Sequence, residues 1–176
     1  MFKKYPLVAV PARNGILGGA FASALLLTLF AFHRHPLMIP TPLDVRILLF
    51  AVLLVFTLKE YRDYFRQGIL SFWEGMIACL ILTFAFALIT FLAMWIFGSL
   101  QPEYVSEYVR MKTAQLKAYP EDEVAKIGKA TFDAVLAEMP ATTPVSLALL
   151  YFSQSFALSF PISIIISLIL RRQPKS

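Results

Sequence analysis

Four serines, Ser155, Ser159, Ser163 and Ser167, recur at every fourth residue of one strongly apolar stretch, with Gln154 beside the first. On a helix, positions four apart stack with a slow drift around the axis, so these hydroxyls form a polar stripe. Two kinds of chemistry fit. Small hydroxylated residues let a second helix approach closely and hydrogen-bond across the contact. Alternatively the stripe and Gln154 line a polar path. Close packing is the preferred expectation. Ser159 and Ser163 also flank Pro161, which removes a helical hydrogen bond and is expected to bend the helix. Nucleophilic catalysis does not fit, because a serine needs a neighbouring base and this stretch holds no histidine or lysine.

A second stripe of small residues lies near the N-terminus: Gly15, Gly19 and Ser23 at spacing four, with Gly18 and Ala22 alongside. This pattern marks a close helix contact, and the serine stripe is its expected partner. A third group, Tyr61, Arg62, Asp63, Gly68, Ser71 and Glu74, punctuates a charged connection. Gly68 suits the C′ position of a helix. Ser71 and Glu74 form a capping box ahead of the next apolar run, which explains that carboxylate better than burial in a membrane. Lys59 and Asp63 are spaced for an i,i+4 pair. His33 and His35 would not share a helix face and are expected in an interfacial loop, not on a metal. Cys79 is the single cysteine, so no intrachain disulfide forms. No P-loop, HExxH, GxSxG or Rossmann glycine pattern occurs. The expected inventory therefore has no catalytic residue, no cofactor and no metal site.

The elements that position these residues are read from the charges. No Asp, Glu, Lys or Arg occurs from Asn14 to Phe32, from Gly75 to Pro102, or from Met139 to Leu170. About 20 apolar helical residues cross a hydrocarbon core of about 30 Å. Hydrophobic residues make up 59% of the chain and charged residues 15%, more apolar surface than one soluble core hides. The net charge of +5 flanks the apolar runs and forms no single stripe, which argues against nucleic acid.

These signals predict an all-α integral membrane protein, a single domain with four transmembrane helices near 14–32, 42–60, 72–98 and 145–170. The first run is too long, and lacks the cleavage pattern, for a removed signal peptide. The second run, free of charge only from Ile47 to Leu58, becomes a span if Thr41 caps it, Pro42 opens it, Asp44 occupies N3, and Arg46 snorkels to the interface; a re-entrant or interfacial helix is the alternative. Trp73 and Trp95 would lie about 33 Å apart along the third helix as interface anchors, with Gly98 ending it. Thr143 and Pro144 read as N-cap and N1 of the last. Lys and Arg near the span ends place both termini in the cytoplasm. The polar segment 101–140 then lies outside as two amphipathic helices, the second with Val124, Ile127, Thr131 and Val135 on one side.

The Tyr61-Arg62-Asp63 triplet, the Gly68 to Ser71-Phe72 stretch, and Pro161 followed by small and aliphatic residues up to Arg171-Arg172 resemble a family of small bacterial inner-membrane proteins known only as a domain of unknown function. The resemblance spans nearly the whole chain and implies four spans and a bacterial inner membrane; it implies no activity. One departure stands out: where the family often has Glu-Pro ahead of the proline, this chain has Gln154-Ser155-Phe156-Ala157. The expected function is that of a non-enzymatic accessory or assembly component in the lipid bilayer; segment 101–138 is expected to bury its own apolar faces or lie on the membrane surface, with docking of a protein partner as the alternative. A small transporter or channel subunit with a polar path along the last helix is the alternative.

Overall fold

The computed structural model describes residues 5–40 and 44–173. It is all-α: α1 (Pro6–Ala31), α2 (Val45–Phe65), α3 (Phe72–Leu100), α4 (Pro102–Lys117), α5 (Glu121–Ile127), α6 (Lys129–Glu138) and α7 (Pro144–Leu170). Three of these, α1, α3 and α7, are long and apolar enough to cross a membrane. Helix α1 starts earlier than the charge-free run and continues through Pro11.

Local chemistry sets the boundaries. Ser71 and Glu74 close the anticipated capping box on α3. Thr143 caps α7 with Pro144 at N1, and Ser146 completes a second box. The start of α2 differs from expectation. Asp44 is the N-cap, its carboxylate accepting the Arg46 N–H at 2.9 Å, so it does not occupy N3; Thr41 and Pro42 lie outside the described residues. At the other end of α2, Gln67 takes the first left-handed position (φ 51°) and Gly68 the next (φ 85°), one residue later than the C′ assignment. Asp63 pairs with Arg62 and not with Lys59. Gly98 does not end α3. It lies inside the helix where a Cβ would sit 3.2 Å from Pro144 and 3.3 Å from Tyr104, so its role is close approach.

The four long helices pack as a bundle in which α3 contacts α1 on one side and α7 on the other, and α2 contacts the same two. Helices α1 and α7 therefore occupy opposite corners. The expected pairing of their small-residue stripes is incorrect, because each stripe is already used against α3. A Cβ on Gly19 would meet the Phe86 carbonyl at 2.8 Å and Ile89 at 2.9 Å. Apolar core fills the bundle in two clusters. Phe50, Leu54, Leu58, Ala78, Cys79, Leu82 and Phe86 form one, and Met94, Tyr104, Tyr108, Leu147, Ala148 and Tyr151 the other, under α4. The outward faces are apolar as well, with Ile16, Leu17 and Phe21 on α1, Leu80 and Phe84 on α3, and Phe160 and Ile165 on α7 exposed. Faces of that kind fit lipid contact.

Between α3 and α7, Tyr104, Tyr108 and Leu116 anchor α4 to the bundle. The expected second amphipathic helix is broken at Gly128 (φ 92°) into α5 and α6. Helix α6 buries none of its residues.

Candidate functional site

The α2 start carries an inward-facing ion pair. Arg46 Nε donates to both Asp44 carboxylate oxygens at 2.9 Å. Arg46 Nη2 donates to Asp44 and, at 3.0 Å, to Gln154 Oε1. Arg46 Nη1 reaches the Tyr151 carbonyl at 3.3 Å and Ser155 Oγ at 3.4 Å. The guanidinium carbon is 3.9 Å from the centre of the Tyr151 ring. Side-chain exposure is 9% for Arg46 and 12% for Asp44. Sequence reasoning sent this arginine outward to the interface; that expectation is incorrect. A guanidinium has a fork of five donors, and here Asp44 and, on α7, Tyr151, Gln154 and Ser155 supply acceptors that a snorkelling conformation would forgo. Burial without such partners would be prohibitive.

The pair borders an open cleft of about 420 Å³ between α2, α7 and α4, walled by Ile39, Asp44, Arg46, Lys112, Gln154 and Leu158. That volume is in the range of small-molecule sites, and a few placed polar groups among apolar walls are their usual make-up. Lys112 Nζ is 3.0 Å from Gln115 Oε1 on the same rim. On the α1 side, a smaller apolar pocket of about 110 Å³ shares Pro36, Ile39, Asp44 and Arg46.

Next to the cleft, His35 closes the α1–α2 connection over α4. It lies in the connecting segment, and its side chain is buried. The Leu37 N–H donates to its Nδ1 at 3.3 Å, which leaves Nε2 as the donor to the Tyr104 carbonyl at 3.1 Å. The ring packs on Tyr104 and Tyr108 at 4.6 and 5.4 Å between centroids. Burial pushes its pKa below the usual value of 6.5, against the opposing effects of the Tyr104 carbonyl and Glu107. Burial likewise raises the Tyr104 phenol, whose hydroxyl has no hydrogen-bond partner among the described residues.

The serine ladder runs on from this cluster, with Ser155 beside Arg46 of α2 and Ser159 and Ser167 in the α3–α7 contact. Ser155, Ser159, Ser163 and Ser167 are all buried. Ser155 donates to the Tyr151 carbonyl at 2.8 Å, and Thr83 Oγ1 donates to Ser159 Oγ at 3.1 Å. Ser167 lies 3.7 Å from Cys79 Sγ, opposite Gly75. Pro161 sits on the exposed side of α7, away from the ladder. Ser159 and Ser163 also border a shallow groove walled by Leu80, Phe156 and Phe160. On α1, Gly15 and Gly19 face α3, and Ser23 donates to the Gly19 carbonyl at 2.7 Å.

The charged connection is at the far end of the bundle from the cleft. Arg62 bonds Asp63 at 2.7 Å and the Leu170 carbonyl at 3.5 Å. Tyr61 and Arg66 both reach Glu74, at 3.5 and 2.7 Å. Gly68 N–H donates to the Arg62 carbonyl at 2.9 Å. Tyr61, Arg62, Asp63, Gly68, Ser71 and Glu74 thus join into a network that locks the α2–α3 hairpin. Among the described residues no three His, Cys, Asp or Glu side chains converge on a metal position.

Gln154 and Ser155 were legible as polar positions. Asp44, Tyr151, Lys112 and Gln115 were not recognised as their neighbours. The available signal was an acid two residues before an arginine at a helix start, which fits an inward pair as well as an outward one.

The chain matches, over residues 13–172, the family described as "Protein of unknown function (DUF4199)", and it belongs to that family. No curated protein and no solved structure matches it.

Proposed function

We propose that this is a non-enzymatic membrane protein with four spans, acting as an accessory component whose working end is the α4 side. The observation that carries this reading is the contrast between two faces of α7. Through Gln154, Ala157 and Leu158 one face opens onto a cleft with a buried ion pair, whereas on the neighbouring face Ser159 and Ser167 are engaged with α3. A buried ionisable pair lining a cleft points to function, and serines engaged with α3 point away from a permeation path. The small-transporter alternative would need the Thr83–Ser159 contact to open.

Helix α2 serves as the fourth span in this reading. Between Arg46 and Lys59 its outward residues Leu48, Val52 and Phe56 are all exposed and apolar, as lipid-facing positions must be. The basic residues near the span ends put both termini in the cytoplasm of a bacterial inner membrane, and α4 to α6 outside. The Tyr61-Arg62-Asp63 to Ser71-Phe72 motif then acts as a cytoplasmic staple between α2 and α3.

Two measurements test this. With Cys79 replaced by serine, a cysteine at Gln115, on the cleft rim, should react with a membrane-impermeant maleimide added outside intact cells; labelling from the cytoplasm alone overturns the topology. A co-purifying protein partner should be lost when Phe132 and Val135 on α6 are changed to aspartate, since neither is buried. Solute flux in proteoliposomes, with no partner retained, would favour the transporter.

A further inference from the structure

At the end of the bundle away from α4, the last turn of α7 and the first turn of α3 border a second open groove of about 410 Å³. Ile69, Phe72, Trp73, Leu168, Arg171 and Arg172 contribute to its walls. The two arginines are not on a loose tail. Arg172 N–H donates to the Leu70 carbonyl and its own carbonyl accepts from Leu70 N–H, both at 3.0 Å, which pins the strand-like exit of α7 to the α2–α3 hairpin.

Charge balance separates these arginines from four others of the bundle. Arg13 holds Glu60, Arg46 holds Asp44, Arg62 holds Asp63 and Arg66 holds Glu74. Among the described residues, Arg171 and Arg172 have no such ion pair. The neighbouring acids are already engaged, Asp63 by Arg62 and Glu74 by Arg66 and Ser71. Apart from Ser71 and Gln173, the groove's remaining walls are apolar, and two of them are uncovered: Trp73 is 73% exposed and Leu168 54%. A pair of guanidinium forks with no direct ion pair among the described residues, beside an exposed indole at the ends of two apolar helices, combines phosphate geometry with an interfacial anchor.

We propose that this groove binds the headgroup of an anionic phospholipid. Arg171 and Arg172 take the phosphodiester, the Trp73 indole lies at headgroup level, and the acyl chains run along the exposed Leu168 and Ile165 of α7. The proposal rests on α3 and α7 crossing the bilayer, which places their ends at its surface.

The two tryptophans make a direct test. The full chain carrying Trp95→Phe, leaving Trp73 as the reporter, is reconstituted in phosphatidylcholine vesicles. Part of the lipid is replaced by phosphatidylglycerol or phosphatidylcholine brominated near the top of the acyl chains. Trp73 emission should be quenched at a lower mole fraction of the anionic lipid, by about five-fold per arginine. R171Q and R172Q should each reduce that preference, and the double variant should abolish it while neutral-lipid quenching persists. Equal quenching by both lipids overturns the site and leaves the spanning helices intact. Quenching by neither removes the premise that α3 ends at the bilayer. Loss of the preference on adding soluble glycerol phosphate would assign the groove to a free phosphate ester and overturn the lipid.

Discussion

Arg46 and Tyr151 meet twice: the guanidinium carbon lies 3.9 Å from the ring centre, and the tyrosine's own carbonyl accepts from Nη1 at 3.3 Å. Side chain and backbone of one residue of α7 thus hold the same cation from α2. Cation–π attraction strengthens as the site loses water, and the Asp44 carboxylate keeps the site near neutral.

Removing one member of a buried pair strands the other. Arg46→Ala should destabilise the protein by about 3–5 kcal/mol, because Asp44 and the Tyr151 carbonyl lose their partner in a poorly solvated site. Arg46→Lys should fall between, since one ammonium cannot reproduce the fork. Arg46→Met with Asp44→Asn should recover much of the loss. Thermal unfolding in detergent reads all three, and an Arg46→Ala protein as stable as the parent would contradict the buried pair.

The α1–α3 contact is close enough that any side chain at Gly19 is opposed by backbone. Gly19→Leu should cost about 1–3 kcal/mol or block folding, since a Phe86 carbonyl cannot yield as a flexible side chain would. Ile16→Ala, on the exposed side of the same helix, is the control and should change little. Midpoints of heat or detergent-exchange unfolding distinguish the two.

His35 makes stability depend on pH in a definite direction. Its folded pKa lies below 6.5, so between that value and 6.5 the unfolded chain binds more protons than the folded one. Stability from this residue is therefore fully present above 6.5 and declines as pH falls through the window. Protonating Nδ1 would also turn the acceptor of the Leu37 N–H into a donor. Unfolding midpoints followed from pH 7.5 downward should decline more steeply for the parent than for His35→Phe; parallel curves would exclude this role.

The ladder is testable without any ligand. In a Cys79→Ser background, a cysteine replacing Ser159 should stay unreactive toward a water-soluble maleimide in the folded protein, while the one at Gln115 reacts. Rapid labelling at 159 would show water reaching the Thr83–Ser159 contact and revive the polar path. Ser159→Ala should lose about 1 kcal/mol, the net value of one buried hydrogen bond.

Much of the fold was legible because it is written in local terms. Ser71-Glu74 and Thr143-Pro144 satisfy the first N–H groups of their helices with near neighbours, so spacing alone revealed them. The three long apolar runs needed no partner to be recognised. The inward Arg46 was not legible: its acceptors on α7 are 105 to 109 positions away, and a charge next to an apolar run looks the same whether it turns to water or to the bundle. Gly128 hid for another reason, since one glycine in a periodic pattern does not announce a left-handed φ.

By itself, then, the sequence determined the solvent of this protein, its helical class and most helix starts, because hydropathy and capping act over a few residues. Tertiary structure alone decided which faces meet. The small residues of α1 and the serines of α7 are equally suited to each other and to α3, and only the placement of α3 between them settles the choice. The same placement turns Arg46 inward, uses up the serine ladder, and leaves the cleft beside Asp44 as the open polar site at that end of the bundle.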